Sequence, residues 1–67
     1  MALTPVDNRR ARISQILRSA NGPVTAIEIA KRLLVGERTI YRDIAAMKAC
    51  GSPIEGAAGF GYMMRRK

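Results

Sequence analysis

The chain has 67 residues, twelve of them Lys or Arg against five Asp or Glu, for a net charge of +7. A domain this short buries only about 60% of the surface its unfolded chain exposes, which argues against long active-site loops and a deep substrate cavity. The charge balance favours a polyanionic partner, nucleic acid or an anionic membrane surface, with a plain solubility margin as the alternative.

The first predicted helix opens at "TPVD", with Thr4 as N-cap, Pro5 at the first helical position and Asp7 near the positive end of the dipole. Val6, Ile13, Ile16, Leu17 and Ala20 then form one apolar stripe. Arg9, Arg10, Arg12 and Arg18 take the remaining surface. "NGP" is a stop signal, with Gly22 expected in the left-handed conformation and Pro23 unable to continue a helix. Val24 gives a short extended link. "TAIE", Thr25 to Glu28, is a second capping box and opens a brief helix through Ile29, Ala30 and Leu33. Leu34, Val35 and Gly36 form a tight turn, and a third helix runs from about Glu37 to Cys50 with Gly51 as its stop. Two helices joined by so short a turn make a helix-turn-helix, and the small Ala30 lets them cross closely.

Beyond Gly51 the periodicity changes. Pro53 and Ile54 begin a strand and "GAAG" supplies a turn. Phe60, Tyr62 and Met64 then alternate with Gly61, Met63 and Arg65, a β-hairpin with one buried face. The expected fold is therefore mainly α with a small β-hairpin: a winged helix-turn-helix, three helices followed by a two-stranded wing, in one domain over residues 1–67.

Catalysis finds little support. The chain has no histidine and one cysteine, too few soft ligands for a thiolate zinc site. The carboxylates are scattered, and the glycines after the third helix lack the P-loop lysine. No enzyme, cofactor or metal is expected. No apolar run reaches the ~20 residues of a membrane span, and "MALTPVDNRR" has no signal-peptide core. Lone Cys50 excludes an internal disulfide, fits a reducing cytoplasm and is expected to be a small packing residue.

The span from "GPVTAIEIAKRL" through "ERTIYRDI" to "GSPIEGAAGFGYMMRR" resembles the winged helix-turn-helix of bacterial transcription regulators with a WYL effector domain, the YafY-like group. More distantly it is similar to DeoR-type regulators. The resemblance covers nearly the whole chain. It implies operator binding through the third helix and the wing, with sensing and assembly in a larger C-terminal part. The chain ends just after the wing, so it is expected to be either an excised DNA-binding domain or an unusual stand-alone module. Any oligomerisation would lie in parts absent here, and no small-molecule site is expected. The family usually reads Gly-Val-Ser where this chain has Leu34-Val35-Gly36. That places Leu34 at a turn suited to glycine, at a cost of around 1 kcal/mol. It also replaces a serine cap by glycine, which weakens the helix start by only a few tenths of a kcal/mol.

Within the third helix Ile40, Ile44 and Met47 form the buried face. Arg38, Arg42, Ala45 and Ala49 fall opposite, flanked by Thr39 and Tyr41. Arginines one turn apart reach along one groove, and alanines keep the surface thin enough to enter it. Arginine can bind a guanine edge with two parallel hydrogen bonds, yet half or more of such contacts go to the backbone, so which arginine meets a base stays open. The plain alternative is a solvated helix face. Tyr41 has two readings, a phosphate donor or a side chain leaning over the helix-turn-helix junction. Glu37 also has two, an acceptor for a cytosine amine or a stabiliser of the helix dipole. Asp43, nearer the buried side, is expected to pair with a first-helix arginine.

Thr25 at its helix start offers an anion site beside plain capping. Gly56 and Gly59 would allow a sugar-phosphate strand close to the wing. Arg65, Arg66 and Lys67 trail the wing within reach of phosphate. Phe60, Tyr62, Met63 and Met64 read as hairpin packing. The expected DNA-binding set is thus Thr25, Glu37, Arg38, Thr39, Tyr41, Arg42 and Arg65, with double-stranded DNA as partner. The competing class is a winged helix used as a protein–protein interaction module, which should carry an exposed apolar third-helix face. RNA binding is a weaker third reading, since three aromatics without an interleaved basic strand do not make a stacking surface.

Overall fold

The structure, a computed structural model, describes residues 5–57 and 59–65. The order is α1 (Pro5–Ser19), α2 (Ala26–Leu33), α3 (Glu37–Ala49), β1 (Ile54–Ala57) and β2 (Gly61–Met64). Three helices precede an antiparallel two-stranded wing, the expected winged helix-turn-helix. The proposed Thr4 cap, residue 58 of the wing turn, Arg66 and Lys67 lie outside the described residues.

Each helix contributes one stripe to a single core. Ile13 and Leu17 come from α1, Ala26, Ile29 and Ala30 from α2, and Ile40, Ile44 and Met47 from α3. Val24, Ile54 and Tyr62 complete it from the extended segments. Ile13, Ile29 and Ile40 are fully enclosed, so truncating any one to alanine would lose about 2–5 kcal/mol. Ala30 is buried on α2, the helix that packs against α3. Val6 departs from the α1 stripe and is exposed. The inward face is instead continued by Arg9, one turn before Ile13, at the spacing that keeps two side chains on one side of a helix.

The turns show how local chemistry sets the helix ends. Leu34 closes α2 in the left-handed region at φ 58°, ψ 44°, as its place in the turn implied. Its N–H and that of Val35 both donate to the Ala30 carbonyl. Gly36 is the N-cap of α3 and gives no side-chain hydrogen bond. At the other end α3 stops at Ala49, one residue earlier than expected, with Cys50 as C-cap. Gly51 adopts φ 97°. The Gly51 N–H then donates to Lys48 and the Ser52 N–H to Met47, the paired bonds of a Schellman motif. Cys50 is exposed, not packed, because the chain turns away immediately after it.

Gly22 corrects another expectation, since it does not enter the left-handed region. Helix α1 ends at Ser19 and the Ala20 N–H still bonds Ile16. Gly22 therefore lies one residue beyond the position where a left-handed cap would act.

The wing pairs Ile54 with Met64, Glu55 with Met63, Gly56 with Tyr62 and Ala57 with Gly61. Directly opposed residues share a face, so Ile54, Tyr62 and Met64 point to the core. Strand β1 runs two residues into the expected "GAAG" turn, and the turn falls later. The Phe60 N–H closes it on Ala57 at 3.1 Å, with Gly59 at φ 92°. Phe60 is thus a turn residue, 84% exposed, and contributes no hairpin packing. Val24 is more than a link. It exchanges two 2.8 Å hydrogen bonds with Tyr62, so β2 is paired on both sides at that point.

Candidate nucleic-acid interface

Helix α3 presents three kinds of surface. Ile40, Asp43, Ile44 and Met47 face inward. With 100° between successive residues, Arg38, Arg42, Ala45 and Ala49 form the opposite ridge, and all four are exposed. Among the described residues, none of the exposed large hydrophobic side chains lies on α3. The ridge is therefore two arginines one turn apart with only methyl groups beyond them. Two long, always-charged donors on a thin helix can enter a groove and reach acceptors on its floor or walls.

One flank of the ridge, past Thr39 and Ala46, is held by α1. Asp43 is 2% exposed and its carboxylate is gripped by two guanidiniums. Arg9 donates through Nε to Oδ2 and through Nη2 to Oδ1 at 3.0 Å. Arg10 adds one Nε bond to Oδ1 at 3.3 Å. The Arg9 hydrogen bonds hold the Asp43 carboxyl below the ordinary carboxylate range, against a desolvation that pushes it up, with Arg10 adding to the effect. In turn the same bond to Asp43 raises the Arg9 guanidinium further. The expected pairing of Asp43 with α1 is present and doubled. Its signal in the sequence is the place of Asp43 near the buried face of α3; which arginine answers it is set by how α1 crosses α3.

The other flank is held by the wing. The Lys48 ammonium lies 5.7 Å from the centroid of the buried Tyr62 ring, a cation–π distance. Tyr41, half-buried beside it, donates its hydroxyl to Glu37 Oε1 at 3.4 Å. Partial burial, then the nearby Glu37 carboxylate, hold the Tyr41 phenol above its ordinary value, so it remains protonated at neutral pH. Glu37 and Tyr41 thus meet each other, one turn apart at the start of α3.

The remaining predicted residues separate from the ridge. Thr25 caps α2, accepting from the Glu28 N–H at 3.2 Å, while the Glu28 carboxylate faces Arg32 at 3.9 Å. Half of the expected capping box is therefore formed by the threonine alone. Thr39 is half-buried on the α1 flank of α3. Arg65 is exposed, its Nε 3.4 Å from Glu55 Oε2 across the hairpin, and its N–H extends the pairing to the Pro53 carbonyl at 2.7 Å. The bare Cα of Gly56 serves the hairpin itself. A Cβ there would stand 2.1 Å from the Gly61 carbonyl oxygen. Lys48 and Arg10 were not singled out by sequence reasoning, since their placement depends on what crosses α3.

An open groove of about 620 Å³ runs between the end of α1 and the wing, lined by Leu17, Arg18, Glu55, Met63, Met64 and Arg65. No α3 residue borders it. No helix among the described residues is long and apolar enough to cross a membrane.

A short turn between α2 and α3, an exposed basic ridge on α3 and a hairpin packed at its side define a winged helix-turn-helix domain. The model of the HTH domain family matches residues 9–63, most of the chain, and the protein belongs to that family. This is a family of DNA-binding domains and carries no catalytic machinery of its own. No curated protein matches the chain.

Proposed function

We propose that the chain binds double-stranded DNA in a sequence-dependent way, as the DNA-binding domain of a cytoplasmic bacterial transcription regulator of the YafY-like, WYL-containing kind. The carrying observation is the exposed α3 ridge, where Arg38 and Arg42 stand one turn apart and Ala45 and Ala49 leave the helix thin. The major groove, about 12 Å wide, admits such a helix. Arg38, nearer the helix start, reads a base edge, and Arg42 grips a phosphate. Thr39 and the Glu37–Tyr41 pair border the contact. The wing lies along the backbone with Arg65, and Thr25 directs the start of α2 toward a phosphate. One such helix reads a single half-site, so affinity for one duplex is nearer micromolar than nanomolar at physiological salt, and tight binding needs assembly through other parts.

A protein–protein module would instead bury an apolar α3 face, and the ridge carries two arginines and no large apolar side chain. Selection of bound sequences from a random duplex pool tests the reading. Enrichment of one short motif supports it, whereas salt-sensitive binding with no enriched motif removes the sequence-dependent part.

A further inference from the structure

Asp43 is held by more arginine than it needs. Arg9 alone forms a two-bonded fork with the carboxylate, the geometry that best satisfies both groups. Arg10 makes one longer contact through Nε. Its Nη1 and Nη2 nitrogens are left over from that contact, and its side chain is 34% exposed. Two guanidiniums on one carboxylate also leave the cluster with one excess positive charge.

The position of that excess charge matters. Around α3 the Lys48–Tyr62 contact places the wing on one side of the arginine ridge, and the Asp43 contact places Arg10 on the other. A helix lying in a major groove has a phosphate strand along each side. The flank opposite the wing therefore needs its own cation, and neither Arg38 nor Arg42, on top of the ridge, occupies it.

We propose that Arg10 is a DNA phosphate contact on the flank opposite the wing, held in place by Asp43. The proposal rests on the DNA-binding reading above. Asp43 acts here as a positioning residue, fixing the Arg10 stem so that little rotamer freedom is lost when a phosphate arrives. Arg9 serves the fold and Arg10 the ligand, although both touch the same carboxylate.

The test compares Arg10→Gln, Arg10→Lys and Arg9→Gln with the parent. Each is measured for thermal stability, and for binding to a duplex recovered by selection and to a scrambled duplex, across a salt series. Arg10→Gln should melt close to the parent, because the Arg9 fork remains. It should lower the slope of log K against log salt by about 0.9 and weaken both duplexes alike, roughly fivefold near 0.15 M salt. Arg10→Lys should restore the slope. Arg9→Gln should mainly lower the melting temperature. A parent that binds neither duplex in a salt-dependent way defeats the DNA reading itself. A parent that binds, with Arg10→Gln leaving the slope unchanged or melting as low as Arg9→Gln, overturns the assignment of Arg10 alone.

Discussion

The two flanks of α3 are built by opposite means. On the α1 side, a buried carboxylate and the two-bonded fork of Arg9 fix the helix through charged groups of defined reach. On the wing side, position is set by what is missing. Gly56 leaves room for the Gly61 carbonyl, and Gly61 in turn leaves room for Pro23, where a Cβ would stand 2.9 Å from the proline Cβ. Backbone bonds between Val24 and Tyr62 then lock the hairpin to the helical body. The first flank should answer to pH and to charge removal, and the second to any added side chain.

The largest effect is expected on the wing side. Gly56→Ala puts a methyl group into the Gly61 carbonyl at a φ of 121°. Strain at such a backbone is of order 1–3 kcal/mol before the clash is counted, so a loss near ~3 kcal/mol is expected. Amide exchange at Val24 and Tyr62 should accelerate first. Equal protection in parent and variant would break the account of the wing.

Asp43→Asn comes next, with a loss of about 2 kcal/mol, the scale of hydrogen bonds to a charged group. The same flank predicts a pH dependence. Because the folded Asp43 carboxyl titrates below its ordinary value, its contribution is complete above the unfolded pKa of about 4. It is lost as pH falls further, through the lowered folded value. The difference in stability between parent and Asp43→Asn should therefore shrink below about pH 4. A difference constant from pH 7 to pH 2 would deny Asp43 this role.

A smaller effect, of opposite sign, is expected between α2 and α3. Leu34 is left-handed and 91% exposed, so its side chain gains nothing to offset the strain. Leu34→Gly with Gly36→Ser should stabilise by about 1 kcal/mol, seen as a few degrees in Tm. An unchanged or lower Tm would mean the turn tolerates leucine without strain. The smallest effect belongs to Arg65→Ala. Its exposed pair with Glu55 should leave stability nearly unchanged, since such pairs are worth ~0–1 kcal/mol.

What the sequence shows in advance divides along the same line. Gly51, Leu34, Gly36 and the α3 stripe are legible because a helix end or face is determined within a few residues. Asp43 is legible because an acid at a core-facing position demands a partner. Phe60, Gly22 and Cys50 are misjudged because each turns on a boundary one or two residues away, and period-two alternation alone does not locate where β2 begins. The Val24–Tyr62 bonds and the place of Arg10 depend on how separate segments cross, which no local pattern contains. The arginine ridge is legible as an exposed face, while its division between base and phosphate is a property of the complex.

The central claim is that α3 reads DNA through its ridge. Its most direct test is binding of Arg38→Ala to the selected and scrambled duplexes across a salt series, with Arg42→Ala beside it. Arg38→Ala is predicted to lose roughly 1–3 kcal/mol on the selected duplex and to flatten preference at one base pair. Arg42→Ala should weaken both duplexes and lower the salt slope by about 0.9. Binding of Arg38→Ala to both duplexes with the parent's affinities would contradict the assignment of α3 as the recognition helix.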